Sequence, residues 1–219
     1  MAKVKAVLFD MDGLVLDTEK LYTRFWQEAA KAHGYPMTRE QALGMRSLNR
    51  GAGAAKLASY FGEGVDYDAI RKTRIGLMEA FIEEEGVEVK PGLEVLLSYL
   101  KEQDIKTAIT TSSPLERTIS YLSKVGLEQS FDKLISGYMV ERGKPEPDIY
   151  LYAAGQLDCK PKECMVLEDS PAGILAAHRA GCLPVMIPDQ DEPDEVTKPL
   201  LYAVVRRLDL VLELLMKMK

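Results

Sequence analysis

The sequence predicts an α/β fold in which helices cover both faces of an open, mostly parallel sheet, with a helical segment inserted after the first strand. Short apolar runs rich in β-branched residues recur along the chain, and helical patterns lie between them. Residues 18–85 depart from this alternation, because they contain helical patterns and no strand pattern. Regular alternation of strands and helices is typical of a parallel sheet buried on both faces.

The predicted strands are short apolar segments bounded by polar or turn-forming residues. The first, "VKAVLF", runs into Asp10 and a glycine, and its continuous apolar character predicts a strand buried on both faces. The predicted strands are Val4–Phe9, Lys106–Thr110, Lys133–Ser136, Cys164–Glu168, Pro184–Ile187 and Tyr202–Val205.

Helices are predicted between these strands, each beginning at a proline or a polar cap and several ending near glycine. They follow Pro91, Pro114, Pro147 and Pro171, and Pro114 is expected at the first helical position. Four further helical patterns, at 18–34, 38–44, 50–62 and 68–86, predict a small bundle. We therefore expect a core domain of residues 1–16 and 88–219 and a helical domain of residues 17–87.

Composition restricts the class of protein. The chain has 219 residues and a net charge of −6, which disfavours a large surface for nucleic acid. It has no apolar run near the ~20 residues that a membrane span needs, and its N-terminal segment lacks a signal-peptide cleavage pattern. The three cysteines and two histidines lack metal-ligand spacing. We expect a cytoplasmic protein that binds neither nucleic acid nor membrane, and a monomer, with a dimer left open.

Two acidic pairs follow predicted strands. Asp10 and Asp12 come directly after the first strand, and Glu168 and Asp169 end another. The carboxyl ends of strands form the ligand-binding edge of an open parallel sheet. Carboxylates held close there repel unless a cation or a shared proton relieves them, and Mg²⁺ prefers such oxygen ligands. Either pair alone is more often a helix N-cap or a solvated turn, but two pairs at one sheet edge favour a metal site.

Hydroxyl groups and a lysine complete the candidate site. Thr111, Ser112 and Ser113 lie between a strand and a helix, where hydroxyls and free backbone N–H groups bind a phosphoryl group. Lys144 precedes another helix and is a compact charge that would bind phosphate and offset the carboxylates. The simpler alternatives are a serine N-cap and a surface lysine.

These motifs resemble, in order, those of the haloacid dehalogenase superfamily in its phosphatase and phosphomutase branch. "DMDGL" is similar to that family's DxDG motif, "TTSS" to its hydroxyl motif, "GKPEPDIY" to its lysine motif and "LEDSPAG" to its acidic metal motif. The resemblance covers nearly the whole chain. It implies a Rossmann-like, doubly wound core with an inserted all-helical cap, and a magnesium-dependent phosphatase that hydrolyses a small phosphorylated metabolite through an aspartyl-phosphate.

The resemblance also implies roles for the matched residues. Asp10 would be the nucleophile and Asp12 the general acid and base. Mg²⁺ would be held by Asp10, the backbone carbonyl of Asp12 and Asp169, with Glu168 as a direct or water-mediated partner.

The remaining matched residues would bind the transferring phosphoryl group. Thr111 and Ser112 would contact it, Ser113 would assist, and Lys144 would stabilise its charge and that of Asp10. Asp17 is expected to shape and cap the helix that leads into the cap, with Glu19 in its first turn.

The substrate stays open between a sugar phosphate and a nucleoside monophosphate. A hexose phosphomutase of the beta-phosphoglucomutase type is the alternative. Two observations disfavour it: Tyr22 stands where that branch usually carries histidine, and Arg46 and Arg50 are only ambiguous candidates for its phosphate-binding arginine. A non-catalytic binding module and a dehalogenase are less favoured, since neither needs the whole set of acidic residues. Tyr22, Trp26 and the segment Met45–Arg50 are candidate substrate contacts, but Trp26 fits a bundle core better.

Overall fold

The computed structural model describes residues 3–46, 48 and 50–218, which form two compact units. One unit comprises Met1–Leu16 and Glu88–Lys219, and the other comprises Asp17–Val87. Within the described residues, no helix combines the length and the apolar character that crossing a bilayer requires.

The first unit is built on a six-stranded parallel sheet with the strand order β3-β2-β1-β4-β5-β6. This is the doubly wound architecture that the sequence predicts. Strand β1 lies in the interior of the sheet and is completely buried, which explains its unbroken apolar sequence. The strands are β1 (Ala6–Phe9), β2 (Lys106–Thr111), β3 (Lys133–Ser136), β4 (Cys164–Glu168), β5 (Leu183–Met186) and β6 (Ala203–Val204).

Some predicted strand boundaries are wrong by one or two residues. Strand β1 begins two residues later than predicted, at Ala6, and β2 extends one residue further, to Thr111. Pairing explains the second difference, because Thr111 is in register with Ser136 of β3. The edge strand β6 has two residues rather than four, since only Ala203 and Val204 are in register with β5.

The second unit consists of α1 (Glu19–Ala32), α2 (Arg39–Leu43), α3 (Arg50–Phe61) and α4 (Tyr67–Glu85). Helix α1 packs against α2 and α4. Trp26 is 5% exposed and lies in the apolar core of this unit, where its ring centroid is 5.9 Å from that of Tyr67. Trp26 therefore belongs to the core of the helical bundle.

The helices of the first unit are α5 (Leu93–Glu102), α6 (Leu115–Lys124), α7 (Asp148–Gln156), α8 (Pro171–Arg179) and α9 (Val211–Lys217). Helices α7 and α8 pack on one face of the sheet, where Ile149, Tyr150 and Ala177 meet Leu8 and Val166 in one apolar cluster. Helix α5 packs against β2 and α9, and α6 packs against β3. Strands and covering helices together hold the carboxyl edge of the sheet in place.

Pro114 is the N-cap of α6 and not its first helical residue, so that prediction is wrong. Its backbone is extended, with ψ of 145°, and the helix begins at Leu115. The extended residue is needed because the chain must turn from the end of β2 into the helix. Its carbonyl still accepts the first helical hydrogen bond, from the N–H of Thr118.

The two segments that connect the units pair with each other at their first-unit ends. Gly13 has a φ of 88°, which glycine adopts without strain, and its N–H donates to the carbonyl of Leu16. Leu16 then forms an antiparallel bridge with Val89, and the N–H of Lys90 donates to the carbonyl of Val15 at 2.9 Å. This turn places Asp10 and Asp12 just before the chain leaves the sheet.

Candidate active site

The candidate site lies at the carboxyl ends of β1, β2 and β4. The chain runs from β1 through β2 to β3 on one side, and β4 then returns to the other side of β1. Asp10 follows β1, Glu168 ends β4 and Asp169 follows it, so the acids flank the point where the strand order reverses. Ligands of open α/β proteins bind at such a reversal.

Three carboxylates converge at this point. Asp10, Glu168 and Asp169 are all buried, and each offers an oxygen atom such that all three oxygens lie within 4.8 Å of one another. Burial of three like charges is unfavourable without cations beside them. Carboxylate oxygens are the ligands that hard divalent cations prefer, and the donor set therefore fits a metal ion.

Lys144 supplies a positive charge to this cluster. Its Nζ donates to Asp10 Oδ1 and to Glu168 Oε1, both at 2.5 Å, and to the carbonyl of Thr110 at 3.0 Å. The side chain is only 7% exposed. An ammonium group has three hydrogens, and each of them is matched here by one acceptor.

Burial and charge perturb the acid–base properties of this pair. Burial raises the pKa of Asp10 to about 7, the Lys144 ammonium opposes that rise, and the Glu168 carboxylate adds to it. For Lys144, burial acts to lower the pKa, but the carboxylates of Asp10 and Glu168 outweigh it and hold the pKa well above its ordinary value. A carboxylate so strongly perturbed at a sheet edge is typical of a functional site.

Glu168 is fully buried and is held from several directions. Its Oε2 accepts from the backbone N–H of Ser170 at 3.2 Å and from the Ser170 hydroxyl at 2.9 Å. Its Oε1 accepts from the hydroxyl of Tyr150 at 2.7 Å in addition to the Lys144 bond. The carboxylate also lies against Gly173, where an added Cβ would fall 1.8 Å from Oε1.

The hydroxyl segment lies at the end of β2. Thr111 and Ser113 are buried, whereas Ser112 is exposed. The backbone N–H of Ser113 donates to Thr111 Oγ1 at 3.0 Å, and the Ser113 hydroxyl donates to Asp12 Oδ2 at 2.9 Å. Ser113, expected only to assist with phosphate, thus contacts the side chain of Asp12 directly.

The structure brings most of the residues selected from the sequence together within the first unit. Asp10, Lys144, Glu168 and Asp169 form one buried cluster, and Asp12 pairs with Ser113. Sequence reasoning missed Tyr150, Ser170 and Gly173 around Glu168. All three lie inside the lysine and acidic motifs. The available clue was their position at the start of a helix, since Tyr150 and Gly173 lie in the first turns of α7 and α8 and Ser170 is the N-cap of α8.

The candidate substrate contacts of the second unit have partners within that unit. The Arg74 guanidinium lies 4.9 Å from the centre of the Tyr22 ring, and Arg46 Nε is 3.9 Å from Glu19 Oε2. Arg50 is paired with Asp68. Of the segment 45–50, Ser47 and Asn49 lie outside the described residues.

Glu19 begins α1, as expected, but the N-cap position of that helix is not Asp17. The N-cap of α1 is Thr18, and Asp17 instead forms an ion pair with Lys20 at 2.7 Å. The helix starts one residue later than an aspartate cap would require.

Comparison with known proteins identifies the family. The family model of haloacid dehalogenase-like hydrolases matches residues 4–181, which include every residue of the cluster described above. The chain belongs to this family. The matching model describes hydrolases and several relatives are named phosphatases, so the chain is an enzyme.

Individual relatives give the same result. A Thermotoga maritima protein named phosphorylated carbohydrates phosphatase is 33% identical over 178 residues, 81% of this chain and 82% of that protein. The beta-phosphoglucomutase of Bacillus subtilis is 29% identical over 97% of this chain and 94% of its own. A HAD family hydrolase structure from Deinococcus radiodurans, solved with bound phosphate and sodium, superimposes with a TM-score of 0.80 at 26% identity, covering 100% of this chain and 97% of that one.

Proposed function

We propose that this hydrolase is a magnesium-dependent phosphatase of a small phosphorylated metabolite, acting through an aspartyl-phosphate on Asp10. The proposal rests on the bridge that the Lys144 ammonium forms between two carboxylates. Its Nζ donates to Asp10 Oδ1 and to Glu168 Oε1, at 2.5 Å each, and a third buried carboxylate, that of Asp169, lies beside them. A nucleophilic carboxylate needs a neighbouring positive charge to approach an anionic phosphate ester. This cluster supplies such a charge near the hydroxyl segment at the end of β2.

In the first half of the reaction, a carboxylate oxygen of Asp10 forms a bond to phosphorus while the bond between phosphorus and the ester oxygen breaks. Asp12 gives its proton to the departing ester oxygen, so that a neutral alcohol leaves. In the second half, Asp12 takes a proton from water as that water attacks phosphorus, and the bond to Asp10 breaks to release phosphate. The Ser113 hydroxyl, 2.9 Å from Asp12 Oδ2, orients the Asp12 carboxyl for both transfers.

Other residues of the first unit would bind the phosphoryl group. Thr111 and the exposed Ser112 would donate hydrogen bonds to its oxygens, and Lys144 would stabilise its charge. Asp10, the backbone carbonyl of Asp12 and Asp169 would hold Mg²⁺, with Glu168 beside them. When bound, the ion would neutralise charge on the phosphoryl oxygens.

We further propose that the second unit, residues 17–87, is a cap that excludes water from the reaction and selects the substrate. The relatives support a sugar phosphate, and a nucleoside monophosphate is the other class to be tested. The cytoplasmic location and the monomeric state inferred from the sequence stay predictions.

A screen of phosphate esters tests the proposal. The purified protein is incubated with sugar phosphates, nucleoside monophosphates and p-nitrophenyl phosphate, and the released phosphate is measured. We expect release in the presence of Mg²⁺, loss of release after treatment with EDTA, and recovery when Mg²⁺ is added in excess. The single ammonium of Lys144 does not offset three carboxylates and an incoming phosphate. Equal release with and without EDTA would contradict the magnesium requirement, and no release from any ester would contradict the phosphatase.

A phosphomutase is the second candidate, because the Bacillus subtilis beta-phosphoglucomutase matches over 97% of this chain. The two functions differ in their products. With beta-glucose 1-phosphate, phosphorus NMR would detect glucose 6-phosphate if the protein is a mutase, and only inorganic phosphate if it is a phosphatase. We expect inorganic phosphate.

A further inference from the structure

Tyr150 is a buried side chain whose polar atom meets the candidate site. It lies in the first turn of α7, is 0% exposed, and its ring is part of the apolar cluster between the sheet and the helices α7 and α8. A buried hydroxyl needs a hydrogen-bond partner, and many acceptors would serve for stability alone. The acceptor used here is Glu168 Oε1 at 2.7 Å.

The same oxygen atom accepts from Lys144. Two donors, the Tyr150 hydroxyl and the Lys144 ammonium, therefore converge on Glu168 Oε1. The Lys144 Nζ also lies 5.3 Å from the centre of the Tyr150 ring, within the range of a cation–π contact. Tyr150 thus touches both partners of the ion pair.

The position of Glu168 determines where the ammonium points. Lys144 has three acceptors, and one of them, the carbonyl of Thr110, is part of the backbone of β2. Of the other two, Asp10 is the proposed nucleophile and Glu168 is the anchor opposite it. The Glu168 carboxylate is in turn fixed by Ser170 on Oε2 and by Tyr150 on Oε1, while Gly173 closes the space beside it.

We propose that Tyr150 is a positioning residue for phosphoryl transfer: its hydroxyl fixes the Glu168 carboxylate and thereby aims the Lys144 ammonium at Asp10. The inference rests on the phosphatase reaction proposed above. Tyr150 does not touch the reacting atoms. Without its hydroxyl, Glu168 Oε1 loses one of its two donors and the carboxylate gains freedom to rotate, so that Lys144 is held less firmly against the nucleophile.

The test compares two tyrosines of the same helix. Tyr150→Phe removes the hydroxyl that contacts Glu168, and Tyr152→Phe removes the hydroxyl of a partly exposed side chain two residues later. With p-nitrophenyl phosphate and saturating Mg²⁺, we expect Tyr150→Phe to lower kcat by about tenfold with KM unchanged. Tyr152→Phe should leave both constants as in the original protein.

A second measurement does not depend on turnover. Acetic anhydride acylates lysine amines, and mass spectrometry follows the rate at Lys144. We expect faster acylation of Lys144 in Tyr150→Phe than in Tyr152→Phe, because a less firmly held amine is more often available. A merely structural tyrosine would change neither kcat at constant KM nor the reactivity of this one lysine.

Several results would overturn the inference. Three of them are an unchanged kcat in Tyr150→Phe, a change confined to KM, and an unchanged rate of Lys144 acylation. The fourth is the absence of cooperative unfolding in Tyr150→Phe, because the hydroxyl would then be a requirement of the fold. Failure of the phosphatase proposal is recognised separately, because the original protein would then release no phosphate from any ester.

Discussion

The Asp10→Asn variant is expected to lose turnover of p-nitrophenyl phosphate by a factor on the order of 10³ or more, while remaining folded. An amide cannot form the bond to phosphorus that the reaction requires. The fold should persist because the substitution removes one of three buried carboxylates, and Lys144 keeps Glu168 and the Thr110 carbonyl as acceptors. The measurements are steady-state turnover and the midpoint of thermal unfolding.

A matched control is Asp158→Asn, which changes the same functional group on an exposed residue outside the site. Asp158 has a φ of 52°, a backbone conformation that asparagine also tolerates, so the variant's activity and unfolding midpoint should not change. A chemical quench of the original protein during turnover should trap phosphate in a hydroxylamine-sensitive bond, and the Asp10→Asn protein should trap none. Normal turnover in Asp10→Asn would refute the assigned nucleophile.

The Gly173→Ala variant is expected to lose both stability and activity. An ideal Cβ at this position would fall 1.8 Å from Glu168 Oε1 and 1.9 Å from its carboxyl carbon, so the carboxylate must move. Displacement breaks its bonds to Lys144 and Tyr150 in a fully buried site. Breaking a buried ion pair costs about 3–5 kcal/mol, which urea unfolding would measure.

Gly155→Ala is the control for this substitution, since it makes the same change inside helix α7. Nothing lies within 4 Å of the Cβ that it would add. Alanine is favoured over glycine in a helix, and we expect a gain of about 0.5–1 kcal/mol with activity unchanged. Equal urea midpoints for Gly173→Ala and the original protein would show that Glu168 adapts without cost, contrary to the close contact described here.

Local sequence pattern was sufficient for the architecture and for the main acids. Strand β1 could be recognised because burial on both faces requires an unbroken apolar run, which ends where Asp10 begins. Prolines and polar residues marked the helix starts because their chemistry acts within one turn. Errors arose where a local pattern allowed two solutions, as at Pro114, whose extended backbone makes it an N-cap.

The contacts that make the cluster a site were decided by the tertiary structure. Lys144 reaches Asp10 across 134 positions and Ser113 reaches Asp12 across 101. Such pairs depend on strand order and on how the loops approach the sheet edge. Local periodicity in the sequence carries no information about either. The sequence by itself therefore determined which residues stand at the strand ends. Only the folded chain decided that Tyr150 and Lys144 share one oxygen of Glu168, because folding brings the loop before α7 and the first turn of α7 to the end of β4.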